Sequence, residues 1–209
     1  MKNFFTISFL FLLLSAMAFA QPKIGIKGGL NIANLGGSDA DQILNGQSLD
    51  SKTAFAGGVF FMYQFSPLFA IQPEAYYTMK GATYSESGGK LTISLDYFEV
   101  PILLKVIIPV QGSNITPAIF AGPFIGFNST AKMKIEVNGQ SAEQDIQDTK
   151  STEFGVQFGG GIGFDVGRNE VGFDVRYILG LTTIDDTSDP YDIKNNVINF
   201  NAYFAFSLL

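Results

Sequence analysis

Hydrophobic and polar side chains alternate along most of the chain after residue 21. The alternation is clearest over residues 69–80, 153–166 and 171–181. In the second segment, one face carries Phe154, Val156, Phe158, Gly160, Ile162 and Phe164. The opposite face carries Glu153, Gly155, Gln157, Gly159, Gly161, Gly163 and Asp165. Because successive side chains of a strand point to opposite faces, this pattern predicts β-strands with one apolar and one polar face.

The pattern divides the chain into eight predicted strands, and no segment shows a convincing helical period. The strands are residues 22–32, 53–65, 69–80, 91–108, 115–128, 152–166, 171–184 and 196–209. Long connections at 33–52, 81–90, 129–151 and 185–195 alternate with short ones at 66–68, 109–114 and 167–170. This alternation predicts an antiparallel up-and-down arrangement with both termini at the same end.

Alternation alone leaves open which face points inward. A soluble lipocalin-like barrel buries its apolar face, whereas an outer-membrane barrel turns that face to lipid. Here the polar faces carry glycine and isolated charges, and the apolar faces reach the roughly 9–11 residues that a tilted strand needs to cross a bilayer. We therefore predict an all-β fold, an eight-stranded antiparallel up-and-down transmembrane β-barrel spanning residues 21–209, with long external loops and short periplasmic turns.

The first 20 residues have the layout of a secretory signal peptide. Lys2 is followed by an apolar stretch at 9–14 and by Ala18-Phe19-Ala20, which predicts cleavage before Gln21. The alternative is a transmembrane anchor, which the short apolar stretch disfavours because a span needs about 20 residues. The expected location is the outer membrane, with both termini periplasmic.

Composition argues against several function classes. The net charge is −6 without a basic patch, so nucleic acid is not an expected partner. The chain has no His and no Cys, and no serine stands beside an evident base, so we predict no enzymatic activity, no catalytic residues and no cofactor. We expect no metal either, although the acidic stretch "DDTSDPYD" at residues 185–192 leaves Ca²⁺ binding open.

Several charged residues fall on the predicted inward faces: Lys27, Glu74, Lys80, Glu99, Lys105, Asp174 and Arg176. We interpret them as a structural network that fills a narrow interior; the alternative is a polar path for transport. One register of strands three and four places Glu74 opposite Lys105 and Lys80 opposite Glu99. On strands six and seven, placing Val166 opposite Val171 sets Gly161 opposite Arg176 and Gly163 opposite Asp174.

Three stretches, "YFEVPILLK" at 97–105, "AGPFIGF" at 121–127 and "RYILGLTTI" at 176–184, resemble the PorT-like outer-membrane β-barrel family common in Bacteroidetes. The resemblance implies an outer-membrane location. It assigns no catalytic motif, and one branch of the family is tied to a secretion apparatus.

We therefore expect a non-enzymatic barrel with a side-chain-filled lumen, whose external loops at 33–52 and 129–151 serve adhesion or binding. The main alternative is a membrane-anchoring component of a secretion or envelope complex, and a narrow channel is a weaker one. The expected partners are outer-membrane lipid and, in the alternative, envelope or secretion-complex proteins, with the barrel itself a monomer.

Overall fold

The computed structural model describes residues 21–40, 46–86 and 88–208, and it contains nine strands in that part of the chain. They are β1 (Gln21–Gly36), β2 (Asp50–Gln64), β3 (Phe69–Glu86), β4 (Gly89–Ile107), β5 (Ile115–Val137), β6 (Gln140–Asp145), β7 (Thr152–Val166), β8 (Asn169–Gly180) and β9 (Lys194–Ser207). The predicted signal peptide lies outside the described residues.

Eight of these strands form a closed antiparallel ring. The order β4-β3-β2-β1-β9-β8-β7-β5 is closed by pairing of β4 with β5, whereas β6 pairs only with β5. Lys23 pairs with Ser207, so both ends of the described chain lie at one end of the barrel. The predicted eight-stranded up-and-down barrel is confirmed. None of the helices in the described residues is long and apolar enough to span a bilayer.

The apolar faces of the strands point away from the barrel axis. Phe55, Phe158 and Val175 are 69%, 49% and 46% exposed, while the charged side chains of the opposite faces, such as Lys80 and Arg176, are almost completely buried. This arrangement suits a barrel surrounded by lipid, because closure satisfies the backbone polar groups and leaves an apolar outer surface.

We call the end with the termini and the short connections the turn end, and the opposite end the loop end. At the loop end, two predicted long loops are wrong, because 81–86, 89–90 and much of 129–151 are strand. Glu86 pairs with Gly89, and β5 runs to Val137 before β6 turns back beside it. The resulting wall, formed by residues 81–86, 89–96, 130–137 and β6, rises above the rest of the ring.

The wall contains a hairpin signal that the prediction missed. Asn138 and Gly139 both have positive φ, 50° and 80°, which is the backbone conformation that an Asn-Gly hairpin turn needs. The preceding residues 132–137, Lys-Met-Lys-Ile-Glu-Val, alternate as a strand does. Among the other connections at this end, β8 stops at Gly180 instead of residue 184, so its loop to β9 comprises residues 181–193.

Both predicted registers are wrong, although the faces are right. Between β3 and β4, Ala70 lies opposite Lys105 and Lys80 opposite Leu95, because the strands continue to a tip where Gly88 has a φ of 93°. Leu95 and its neighbour Ile93 stay in the strand since both side chains are buried in an apolar cluster at the loop end.

Between β7 and β8, the register differs from the prediction by two residues. Val166 pairs with Asn169 across a two-residue turn that begins with Gly167 at a φ of 66°. Gly159 therefore lies opposite Arg176. A Cβ atom on Gly159 would lie 2.2 Å from the carbonyl oxygen of Val175, so glycine permits the close approach of these two strands.

Candidate functional site

Four charged side chains from β1, β3 and β8 meet in the middle of the barrel. Arg176 donates from Nη1 to Glu74 at 2.9 Å and from Nε to Asp174 at 3.1 Å. Lys27 contacts the same two carboxylates, at 2.8 Å for Glu74 and 3.3 Å for Asp174. The group contains two cations and two anions, so each buried charge has partners of opposite sign.

A second group lies on the loop side of the first. Lys80 Nζ is 2.5 Å from Glu99 Oε1 and 3.0 Å from Glu153 Oε2. The same Nζ lies 4.9 Å from the ring centroids of Tyr97 and Phe124. Lys80 is therefore enclosed by carboxylates and aromatic faces, both of which favour a buried cation.

Gln157 connects the two groups. Its amide nitrogen donates to Glu99 at 3.0 Å, and its carbonyl oxygen accepts from Arg176 at 3.1 Å. Gln157 is fully buried on β7, opposite Ile178. One continuous set of hydrogen bonds thus runs through the two charged groups.

A third group lies toward the turn end. Lys23 contacts Glu170 at 2.6 Å, and the hydroxyl of Tyr203 donates to the same carboxylate at 2.7 Å. Lys105 Nζ is 5.9 Å from the Tyr203 ring centroid, and among the described residues it forms no ion pair within 4 Å. Lys105 lines a void of about 10 Å³, which is room for one water molecule.

The structure brings six of the seven predicted network residues into ion pairs and leaves Lys105 beside them. Lys80 and Glu99 are in contact without being cross-strand neighbours, whereas Glu74 contacts Lys27 and Arg176 instead of Lys105. The prediction omitted Lys23, Glu153 and Glu170, although each lies an even number of positions from an inward-facing residue of its strand. With them, the network contains five cations and five carboxylates, which are Lys23, Lys27, Lys80, Lys105, Arg176, Glu74, Glu99, Glu153, Glu170 and Asp174.

A concave pocket lies at the loop end, which we call the mouth pocket. It has a volume of about 230 Å³ and is lined mainly by aliphatic side chains. The lining residues are Leu35, Ile93, Leu95, Met133, Ile146, Asp148, Thr149, Ile184, Asp185, Thr187, Tyr191 and Ile193. Leu35, Ile93, Leu95 and Ile193 also belong to the apolar cluster that includes Tyr97.

Carboxylates of the acidic stretch at 185–192 form hydrogen bonds and an ion pair with other residues of the loop end. Asp185 accepts hydrogen bonds from the hydroxyl of Thr187 at 3.0 Å and the backbone nitrogen of Tyr191 at 2.8 Å. Asp192 contacts Lys194 at 2.7 Å. In the part of the chain that the structure describes, no group of three or more acidic side chains is arranged to hold a metal ion.

The loop end carries most of the acidic excess of the chain. Its described residues include twelve carboxylates and six lysines. The carboxylates are Asp39, Asp50, Glu86, Asp96, Glu136, Glu143, Asp145, Asp148, Asp185, Asp186, Asp189 and Asp192, and the lysines are Lys52, Lys90, Lys132, Lys134, Lys150 and Lys194.

The barrel geometry agrees with a comparison to protein families, in which residues 19–186 match the outer membrane protein beta-barrel domain. The chain belongs to this family. Membership in the outer membrane protein beta-barrel domain family establishes an outer-membrane barrel and leaves the specific PorT-like branch open. Comparison with curated protein sequences gives no significant match.

Three solved structures illustrate the similarity. The attachment invasion locus protein Ail of Yersinia pestis is 16% identical, with 89% of this chain and 99% of that chain covered and a TM-score of 0.46. Neisserial surface protein A is 13% identical, with coverages of 86% and 95% and a TM-score of 0.47. OprG from Pseudomonas aeruginosa is 15% identical, with coverages of 89% and 97% and a TM-score of 0.44.

Proposed function

We propose that this protein is a non-enzymatic outer-membrane anchor that presents its loop end to a binding partner outside the cell. The observation that carries the proposal is the charge-balanced network that fills the barrel beneath a raised wall. A filled interior suits an anchor, because eight strands leave space only for side chains. The wall, the described residues 37–40 and 46–49 between β1 and β2, and the loop at 181–193 then form the binding surface.

This proposal places the signal peptide before Gln21 and both termini in the periplasm. The apolar outer face contacts membrane lipid, and the barrel acts as a monomer. The seven predicted residues, together with Lys23, Glu153 and Glu170, have a structural role in closing the interior. The absence of His and Cys from the sequence supports a protein without catalytic activity.

A second candidate is a membrane-anchoring component of a secretion or envelope complex, as the PorT-like resemblance implies. One observation favours it. Among the described strands, β6 pairs with β5 alone, so its other edge is available for a strand of a partner protein. Its exposed sequence, Gln-Ser-Ala-Glu-Gln-Asp, is polar, which keeps such an edge soluble until the partner binds.

Site-specific cross-linking tests these candidates, and the absence of native cysteine makes it practical. Ser141→Cys, coupled to a thiol-reactive photo-cross-linker, places a probe on β6. Arg168→Cys, coupled to the same reagent, places the matched probe in the turn-end hairpin. An external binding partner predicts cross-linked protein from Ser141→Cys in intact cells, with none from Arg168→Cys. Capture from Arg168→Cys alone would favour a periplasmic complex, and capture from neither position would overturn both candidates.

A narrow channel is the weakest candidate, and conductance measurements separate it from an anchor. Purified protein in a planar bilayer is expected to give no stable current steps, because charged side chains fill the interior and the void lined by Lys105 holds one water molecule. Reproducible single-channel currents would contradict the anchor.

A further inference from the structure

The mouth pocket has an apolar interior formed by three parts of the barrel. Ile93, Leu95 and Met133 come from the wall, Leu35 comes from β1, and Ile193 precedes β9. Aliphatic side chains on several sides of a 230 Å³ cavity form a site for a small apolar group, since removing such a group from water is favourable.

The pocket is closed at its base. Leu95 belongs to the same apolar cluster as Tyr97, and the Tyr97 ring covers Lys80 at 4.9 Å. Below that ring, Lys80 is held between Glu99 and Glu153. A molecule entering from outside would therefore be retained at the mouth, because the ion-paired layer blocks the way toward the turn end.

The rim of the pocket is fixed by hydrogen bonds between two loops. The backbone nitrogen of Lys150 donates to Ile184 at 2.8 Å, and that of Asp186 donates to the Asp148 carbonyl at 3.1 Å. The Asp185 carboxylate also accepts from the backbone nitrogen of Tyr191. These bonds form the rim before any ligand arrives, which lowers the entropic cost of binding.

The charged groups at the rim favour a cation. Asp148 is exposed at the edge of the apolar cavity, and Tyr191, 50% exposed, adds an aromatic face suited to a cationic group. Partial burial raises the pKa of Asp185, but the hydrogen bonds from Thr187 and Tyr191 outweigh it and hold that pKa below its usual range. The charge of Lys150 acts in the same direction and offsets part of the negative potential at Asp185.

We propose that the mouth pocket binds a small amphiphile with an apolar body and a cationic head. The body occupies the space between Ile93, Met133 and Ile193, and the head lies at the rim beside Asp148. The acidic excess of the loop end attracts such a ligand over longer distances. This inference shares one premise with the proposed function, which is that the loop end is a binding surface.

Three compounds with the same chain test the class of ligand: hexylammonium, hexanol and hexanoate. The protein is reconstituted in lipid nanodiscs with isotope-labelled Ile and Met methyl groups, and each compound is titrated while methyl resonances are recorded. We expect saturable shifts confined to methyls of the pocket, including Ile93 and Met133. Affinity should decrease from hexylammonium to hexanol to hexanoate.

Paired variants connect binding to the pocket. Met133→Trp fills the cavity and should abolish saturable shifts, whereas Ile135→Trp, two residues along the same strand and outside the pocket lining, should leave them unchanged. Asp148→Asn should weaken hexylammonium binding about two- to fivefold and leave hexanol unaffected, as expected for one exposed ion pair. Asp189→Asn removes a charge from the adjacent loop outside the pocket lining and should have a smaller effect.

Three results would overturn the inference: no saturable shift of the pocket methyls, equal affinity for all three compounds, or unchanged binding in Met133→Trp. The cross-linking experiment reports separately on the proposed function. Protein capture at Ser141→Cys without amphiphile binding would refute the ligand site alone. Amphiphile binding without any captured protein would refute the protein partner alone.

Discussion

Replacing Arg176 with Met should destabilise the barrel strongly, because Arg176 is buried between two carboxylates. Its side chain is 1% exposed and contacts Glu74 at 2.9 Å and Asp174 at 3.1 Å. Without it, Lys27 alone would face both carboxylates, and the group would carry one uncompensated negative charge. Breaking a buried pair in this way costs about 3–5 kcal/mol of unfolding free energy.

A second substitution should recover part of that loss. Glu74→Gln alone leaves Lys27 and Arg176 facing only Asp174, so it should also cost about 3–5 kcal/mol. In the double variant, Lys27 and Asp174 remain as a neutral pair 3.3 Å apart. We expect the double variant to lose about 2 kcal/mol less than the sum of the single losses.

Lys105 provides the matched control for this coupling. It is a cation of the same interior, but Glu74 is paired with Lys27 and Arg176 instead. Combining Glu74→Gln with Lys105→Met should give losses that add to within about 1 kcal/mol. The contrast between the two double variants separates specific pairing from a general response to changed interior charge.

Urea unfolding from lipid vesicles gives the required free energies. The chain has no Trp, so far-UV circular dichroism and the gel shift between folded and heated barrel are suitable signals. Single losses under about 1 kcal/mol would show that water enters and solvates the interior charges. Additive losses for Arg176→Met and Glu74→Gln would refute the pairing itself.

Three further predictions concern the outer face, the glycines and the loop end. Phe158→Arg at the bilayer midplane should lower the unfolding free energy by about 2–4 kcal/mol in the same assay, whereas Ser141→Arg on β6 should lower it by about 0–1 kcal/mol. Equal losses at the two positions would refute the outward orientation of Phe158. Gly159→Ala should cost about 1–3 kcal/mol, because its Cβ would lie 2.2 Å from a carbonyl oxygen of the neighbouring strand. Gly160→Ala, with its nearest contact at 3.4 Å, should be neutral or stabilising by up to about 1 kcal/mol, so similar costs at both sites would contradict the packing argument. Partial burial raises the Asp185 pKa, but hydrogen bonds outweigh it and lower that pKa below its usual value. Loop 181–193 should therefore be fully ordered above the ordinary Asp pKa and lose order as the pH falls through the lowered value. Amide NMR shifts of the loop measure this transition, and Asp185→Asn should remove it.

Side-chain alternation was sufficient to predict the eight strands of the ring and their faces, but β6 and the extensions that form the wall were predicted as loops. Strand register was harder, because a shift of two residues keeps every side chain on the same face. Gly159 could face either Ile178 or Arg176 without changing the pattern, and the turn at Gly167 decides between them. The Asn138-Gly139 dipeptide and the alternation over residues 132–137 were the missed sequence signals for the wall.

The candidate site was predictable only in part. The positions that face inward, every second residue of a strand, identified Lys27, Glu74 and Arg176. Applying this spacing to every strand residue would also have identified Glu153 and Glu170. The predicted contact between Lys80 and Glu99 is present, although the predicted register is wrong. The partners of Glu74 were not predictable, because Lys27 and Arg176 reach it across the barrel from strands that do not neighbour β3. The mouth pocket was also beyond prediction, since it joins Met133 of the wall to loop residues that only the closed ring brings together.

The distribution of charge suggests that folding and recognition depend on different residues. The ten charges of the interior network are balanced, five against five, because a net charge buried among the strands would be costly. The loop end is in contact with water, so it can carry twelve carboxylates against six lysines without a comparable penalty. Substitutions such as Asp148→Asn should therefore change binding while the barrel stays folded, whereas Arg176→Met should change stability throughout. A loop-end acidic residue whose neutralisation unfolded the barrel would contradict this division.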